Sequence, residues 1–472
     1  MTVLQTRPAT ATGAHHSGAR PGLTVALACV GVFVAYLPIT AVSVSLTAIS
    51  RALGASTADL QWVVDCYTLP MATLILSAGV LGDVHGRKRV FLAGLALVAA
   101  GAAVSLAAPT VVVLWCGQVV MGAGAAALLP STLALIAHAV PAPAARGRCI
   151  AWWASALVLG LTVGPFVAGG ILAHAGWRWV FLPLIPVAGL AATAGAVLLD
   201  ESRAPGRRRL DWPGQLGATL AVVALIYAVI EGGATGWTDP RTVAGFALAA
   251  VALAGFLTAE ARGRSPMLPL ALFRSAAFNG AGIAALLAMF GLIGANFVLS
   301  LFFGDLQHLG PLQIAYRFGV LNGVTALASP LAGRLLARTG PRAPLTAGLL
   351  LAAAGFAALA TIDGGAGLLA VGWRLAIVGI GFALVLSTVA TAAVNSVPHA
   401  QAGMAGAANN TLRQLGGSLG PAVLGVVLTS RTAGAGFLAR LHTCMTISAL
   451  ALAAAALLAV VLLRPRHQAR PA

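Results

Sequence analysis

Asp65, Asp83, Arg317 and Arg413 are charged side chains set in or beside long apolar runs. An ion there is costly, roughly 2.5–3.5 kcal/mol at a span centre on insertion scales, so each is a candidate for function. Asp65 lies in LQWVVDCYTL, two residues before Tyr67, where a carboxyl group can carry a proton or face a solute. The plainer alternative is a group in interfacial water near a helix end. Arg413 lies in NNTLRQLGGSLG with Asn409, Asn410 and Gln414. At helical spacing these share adjoining faces and form a wet stripe that either lines a cavity or binds another helix. Arg317 sits near the mouth of its run, close enough to snorkel to the interface. Asp83 stands in GVLGDVHGRKRV, Gly79 to Val90, one acid beside Arg87, Lys88 and Arg89. Other chemistries find no constellation. The nine histidines are scattered with no HExxH, the five cysteines show no CxxC, and no GxxxxGK[ST] phosphate loop occurs. No metal, no cofactor and no enzymatic activity are expected.

The elements that position these groups follow from composition. Of 472 residues, 59% are hydrophobic and 8% charged, far below the roughly 25% charged residues of a soluble domain. The chain therefore reads as a membrane protein. Its net charge of +17 does not point to nucleic acid, because the bases sit in short loops between apolar runs. A span needs roughly 20 apolar residues, and fourteen windows qualify, from 23–48 through to 441–463, with two short ones at 213–231 and 242–260. The first 22 residues lack an apolar core, so no cleaved signal peptide is expected. With the amino terminus inside, twenty of the 28 Lys and Arg fall in cytoplasmic segments and six outside, which places both termini in the cytoplasm. The cytoplasmic set includes Arg7, Arg20, Arg207, Arg208, Arg209, Arg264, Arg464, Arg466 and Arg470, and the outer set includes Arg431. Most of these bases read as topological anchors.

Two patterns recur. The skeleton at Gly79, Leu81, Asp83, Gly86, Arg87 and Lys88 returns in GRLLARTGPR with Gly333, Leu335, Arg338, Gly340 and Arg342, Ala337 standing in the place of Asp83. GxxxGP occurs at Gly160, Gly164 and Pro165 and again at Gly416, Gly420 and Pro421. Nearly one offset relates both pairs, which argues for duplicated halves. The predicted fold is all-α and integral to the membrane: a tail 1–22, a six-helix bundle 23–199, a linker 200–276 with two extra helices, a second six-helix bundle 277–463 and a tail 464–472.

At these residues the chain resembles the major facilitator superfamily, and within it the fourteen-helix drug:proton antiporter branch. GAGAAALLPSTLALI at 122–136, GWRWVFLPLIP at 176–186 and IEGGATGW at 230–237 extend the resemblance over nearly the whole chain. It implies two pseudo-symmetric bundles around a central cavity, with a small organic compound, a drug or antibiotic, exported across the cytoplasmic membrane by alternating access and proton antiport. Partners are then the substrate, the proton and the bilayer, with the protein a monomer. Asp83, Arg87 and Lys88 are expected to lock one half against the other, with Gly79 and Gly86, and Gly333, Arg338, Gly340 and Arg342, completing the gate. Because Ala337 removes the second acid, the gate is expected to be asymmetric. Gly160, Gly164, Pro165, Gly416, Gly420 and Pro421 are expected either to pivot or simply to pack tightly.

The departures matter equally. Relatives usually carry an acid where Pro38 stands and Asn where Ser43 stands, and Arg and Gln where Gln118 and Met121 stand. Losing acid and base together is far cheaper than stranding one. Asp65 is left as the proton-coupling candidate, and uncoupled facilitated movement or import of a small metabolite stays open. Thr40, Ser43, Trp62, Tyr67, Gln118, Asn409, Asn410, Arg413 and Gln414 are the expected cavity lining. Loss of the acid and the presence of Arg413 favour a neutral or anionic substrate over a lipophilic cation.

Overall fold

Apolar runs with breaks at Gly, Pro and short polar turns fold into fourteen α-helices among the described residues, which are 21–203, 210–263, 268, 270–398, 401–429 and 436–463 of the computed structural model. They are α1 (Pro21–Leu53), α2 (Thr57–His85), α3 (Arg87–Leu106), α4 (Val111–Ala139), α5 (Pro143–Leu172), α6 (Leu184–Leu198), α7 (Trp212–Thr235), α8 (Pro240–Arg262), α9 (Ala276–Leu301), α10 (Pro311–Thr339), α11 (Arg342–Leu359), α12 (Leu368–Asn395), α13 (Ala402–Thr429) and α14 (Phe437–Leu462). A 3₁₀ turn, Trp177–Phe181, leads into α6, and a π-helical turn, Phe302–Leu306, extends α9. Most of the tail 1–22, all of 464–472, and Arg7, Arg20, Arg207, Arg208, Arg209, Arg264, Arg431, Arg464, Arg466 and Arg470 lie outside the described residues.

Local chemistry sets several boundaries. Ser56 caps α2 by accepting from the Asp59 N–H at 3.2 Å while the Asp59 carboxylate accepts from the Ser56 N–H at 2.8 Å. Gly86 ends α2 at φ 113° and Gly340 ends α10 at φ 72°, left-handed backbone that favours glycine, so the two copies of the repeated loop turn in the same way. The linker helices are longer than their apolar windows because polar caps lengthen them: Asp211 accepts from the Gly214 N–H and Asp239 from the Arg241 N–H.

The packing repeats as the sequence does. In the first bundle α1 packs on α5, α4 on α2 and α3, and α6 on α3; in the second α9 packs on α13, α12 on α10 and α11, and α14 on α11. The bundles meet where α5 lies on α10 and α2 on α13, two contacts that exchange under the repeat. This is the signature of a pseudo-twofold between halves. α7 packs against both α2 and α13, covering one side of the seam, and α8 packs on α7.

Thirteen helices among the described residues are long and apolar enough to cross a membrane, one fewer than the fourteen windows. The helix that falls short is α13, diluted by Asn409, Asn410, Arg413 and Gln414. Packing against α9, α2 and α7 carries it instead.

Candidate functional site

The repeated loop ties each bundle to its own last helix. Lys88 Nζ donates to the carbonyls of Ala196 and Leu199 at 2.8 and 2.7 Å, at the end of α6. Arg342, at the matching position, donates to the Val460 carbonyl at 2.7 Å, at the end of α14. Cations belong there, where helix carbonyls lack partners and the dipole is negative. Arg87 pairs with Asp83 at 3.1 Å within one turn, its backbone N–H reaches the Ser202 carbonyl, and Arg89 lies 3.6 Å from Glu201. These partners of Arg87, Lys88 and Arg89 lie in the first bundle or, as Glu201 and Ser202, at the start of the linker that follows it, so in this conformation the bases staple that bundle to its own exit rather than bridging to the second. The glycines divide also. A Cβ on Gly79 would make only an ordinary 3.5 Å contact with Pro130, and one on Gly333 would meet nothing within 4 Å. Arg338 is exposed on the last turn of α10.

The two GxxxGP motifs do the same job twice. A Cβ on Gly160 would lie 2.8 Å from the Phe33 carbonyl oxygen and one on Gly164 2.7 Å from that of Leu37, so α5 touches the backbone of α1. Gly416 and Gly420 press in the same way on Leu286 and Phe290 of α9, with 2.5 Å from a Gly420 Cβ to the Phe290 oxygen. Pro165 and Pro421 lie inside these helices and leave one carbonyl of the preceding turn without its usual donor. Next to Pro421, Gln61 of α2 donates to the carbonyls of Pro421 and Ala422 at 2.9 and 2.8 Å, across the seam.

Asp65 is fully buried, not a group in interfacial water. Its Oδ1 accepts from the Thr68 hydroxyl at 3.5 Å, and Thr68 accepts in turn from Ser418 of α13 at 2.8 Å. Asp65 Oδ2 is buried without a partner. A carboxyl group in the first bundle is therefore two hydroxyls away from the second. Mid-helix on α13, half-buried Arg413 donates across the seam to the Tyr36 hydroxyl of α1 at 2.6 Å and, within its own helix, to Asn410 Oδ1 at 2.7 Å.

The remaining expected lining residues do not share one open cavity. Thr40, Ser43, Tyr67, Gln118, Asn409 and Gln414 are 0–6% exposed. Thr40 and Ser43 donate to carbonyls one turn back on α1, and Asn409 reaches the Ala281 carbonyl within its own bundle. Trp62 is turned aside, its ring 6.5 Å from Tyr227 of α7. The space left among α1, α2 and α4, lined by Pro38, Tyr67, Thr68 and Gln118, is about 10 Å³, on the order of one water. Both polar atoms of the Gln118 amide are buried there without protein partners. Tyr67 donates to the Ala35 carbonyl beside the break that Pro38 makes in α1. A larger crevice of about 1440 Å³ opens elsewhere, at the Gly340 end of the second bundle among Arg342, Asn395 and Val460.

Sequence reasoning missed the contacts that close the opposite end. Arg51 of α1 donates to the Gly304 carbonyl at 3.0 Å and lies 4.0 Å from Asp305, Thr47 packs against Gly304, and Ser300 donates to the Ser43 carbonyl. Arg317 is 6% exposed rather than snorkelling, its guanidinium 5.2 Å from the centre of the Phe303 ring. The signal present in the sequence was Asp305 in an otherwise apolar SLFFGDL, but its partner is some 250 residues away.

Duplicated helical bundles meeting along a polar seam, with a buried acid and a base bonded toward it, are the architecture of a secondary membrane transporter. The Major Facilitator Superfamily profile matches residues 28–421. The chain is 32% identical over 413 residues to the tetracenomycin C resistance and export protein of Streptomyces glaucescens, covering 87% of this chain and 77% of that protein. It is 34% identical over 409 residues to the multidrug resistance protein Stp of Mycobacterium tuberculosis, covering 86% and 76%. Its fold aligns with the crystal structure of the human organic anion transporter MFSD10 (TETRAN) at a TM-score of 0.66 and 17% identity, over 93% of this chain and 99% of that one. This chain belongs to the major facilitator superfamily and is a multi-pass membrane protein.

Proposed function

We propose that this protein exports a small organic compound, an antibiotic or related drug, across the cytoplasmic membrane by alternating access, with Asp65 carrying the coupling proton. Both termini then lie in the cytoplasm, in keeping with the excess of Lys and Arg in the loops on that side. The two export and resistance relatives support efflux. The observation that carries the coupling is the chain Asp65–Thr68–Ser418, in which the one acid buried within the two bundles among the described residues is bonded toward the opposite bundle. Adding or removing a proton at Asp65 changes whether its oxygen accepts or donates, and so changes a contact that rocking must break. One proton moving through 100 mV supplies about 2.3 kcal/mol, enough for roughly a fifty-fold gradient of a neutral compound.

The test is transport of tetracenomycin C in proteoliposomes with and without an imposed proton gradient. The gradient is expected to drive uphill movement in the wild type, and Asp65→Asn is expected to transport at one rate whatever the gradient. Pro38 and Gln118, in place of the acid and base common among relatives, favour the rival reading of uncoupled facilitation. A wild-type rate indifferent to the gradient would establish that reading, and accumulation rather than depletion in cells carrying the gene would mark an importer.

A further inference from the structure

We infer that the exported compound carries an anionic group, a carboxylate or an acidic phenol or enol, and that Arg413 receives it. This inference rests on the efflux reading and narrows its substrate class. Arg413 lies eleven residues into α13, about 16 Å along the helix, near the middle of a membrane span. Both of its hydrogen-bond partners, the Tyr36 hydroxyl and Asn410 Oδ1, are uncharged, and its Nε is buried without an acceptor. The Tyr36 ring, 5.9 Å from the guanidinium, offers a face but no negative charge. Among the described residues the ion pairs are Arg51–Asp305, Arg87–Asp83 and Arg89–Glu201, and none includes Arg413.

No acid of the two bundles stands ready to neutralise it. α1, α4, α5, α9, α10, α12 and α13 contain no Asp or Glu. α2 contains Asp65, but the Ser418–Thr68 bond fixes the register between these antiparallel helices. Arg413 lies five residues from Ser418 toward the Gly86 end, and Asp65 three residues from Thr68 toward the Asp305 end. At about 1.5 Å per residue the two charges are roughly 12 Å apart along the axis, too far to pair. A charge held in low dielectric is expected to have a counter-charge, and here the molecule that passes through is the one left to bring it. Asn410 shares a turn with Arg413 and with Gln414, whose buried Nε2 is a second donor with no acceptor. An acidic group docked on Arg413 would supply the acceptor that its buried Nε–H lacks.

The experiment measures retention, in cells with and without the protein, of a matched panel: aromatic carboxylic acids, their methyl esters and the corresponding amines, with fluorescein and rhodamine 123 as an anionic and a cationic dye on one scaffold. Selective depletion of the acids and of fluorescein is expected. Arg413→Gln should lower fluorescein efflux about tenfold or more, with Arg413→Lys restoring part of it, because a charge-assisted hydrogen bond is of that strength. Preferred export of esters, amines or rhodamine 123 by the wild type would overturn the inference while leaving efflux intact. So would unaltered acid-over-ester selection in Arg413→Gln reaching the membrane at wild-type level. Export of no panel member, together with no protection against tetracenomycin C, would overturn the efflux reading and this inference with it.

Discussion

Single residues divide into those whose meaning travels with their type and those whose meaning depends on a distant partner. Asp65 and Arg413 were legible in the sequence because an ion in an apolar run is rare whatever surrounds it. The groups across the seam that they reach, Ser418 through Thr68 and Tyr36 directly, were not, since a serine or tyrosine in a span has no local mark of a contact 350 or 377 residues along the chain. The replaced pair behaves similarly. Pro38 leaves α1 short of a backbone donor, and the Tyr67 hydroxyl satisfies the neighbouring Ala35 carbonyl. Tyr67→Phe is expected to lower stability by about 1 kcal/mol, because the buried side-chain bond to the Ala35 carbonyl is lost. Thermal melts of the wild type and Tyr67→Phe in detergent check this; an unchanged melting temperature would remove the stabilising role of this bond.

At the scale of helices, the repeats named the right elements but only part of their work. GxxxGP reads as close approach, and the structure specifies against what: α5 on α1, and α13 on α9. Gly164→Val and Gly420→Val are expected to cost about 1–3 kcal/mol or more each, because a Cβ would lie 2.7 Å from the Leu37 oxygen at Gly164, beside the Thr40 hydroxyl, and 2.5 Å from the Phe290 oxygen at Gly420, and backbone cannot swing away. Gly333→Ala, with nothing within 4 Å of the new methyl, should be neutral or slightly stabilising through helix propensity. Melting temperatures of the three variants decide it; a silent Gly164→Val would remove the packing role of the motif. The loop repeat was expected to lock the halves, whereas Lys88 and Arg342 each close the end of the sixth helix of their own bundle. Spacing could not show this, since α6 and α14 lie over a hundred residues downstream of the loops they meet. The linker helices show the same limit: nothing in their apolar windows placed α7 on the seam, where Gln215 donates to the Thr73 carbonyl at 3.0 Å and accepts from Ser77.

For the whole molecule, duplication made the architecture legible and left the conformation open. Under the proposed alternating access the same sequence supports two arrangements of its bundles, so no pattern within it can say which one is populated. Among the described residues the side-chain bonds that cross the seam, from Arg51–Gly304 and Ser300–Ser43 through Gln61–Pro421, Ser418–Thr68 and Thr162–Asn322 to Arg413–Tyr36, lie between the Asp305 end and the middle of the span. They describe a state shut at that end. The Arg51–Asp305 pair is solvent-exposed and worth about 0–1 kcal/mol, so Asp305→Asn, which leaves the Arg51 bond to the Gly304 carbonyl in place, should shift the population of the open state by no more than about fivefold, and Arg51→Ala, which removes both, by somewhat more. Gly304 is a stronger lever. It is buried against Thr47, and a side chain there has nowhere to go unless α1 moves off α9. Gly304→Leu is expected to wedge this end apart and to raise thiol labelling of a Ser43→Cys reporter well beyond what Arg51→Ala achieves. A reporter that stays unlabelled in Gly304→Leu, in protein that still melts cooperatively, would mean that the contacts at this end do not form the closing surface.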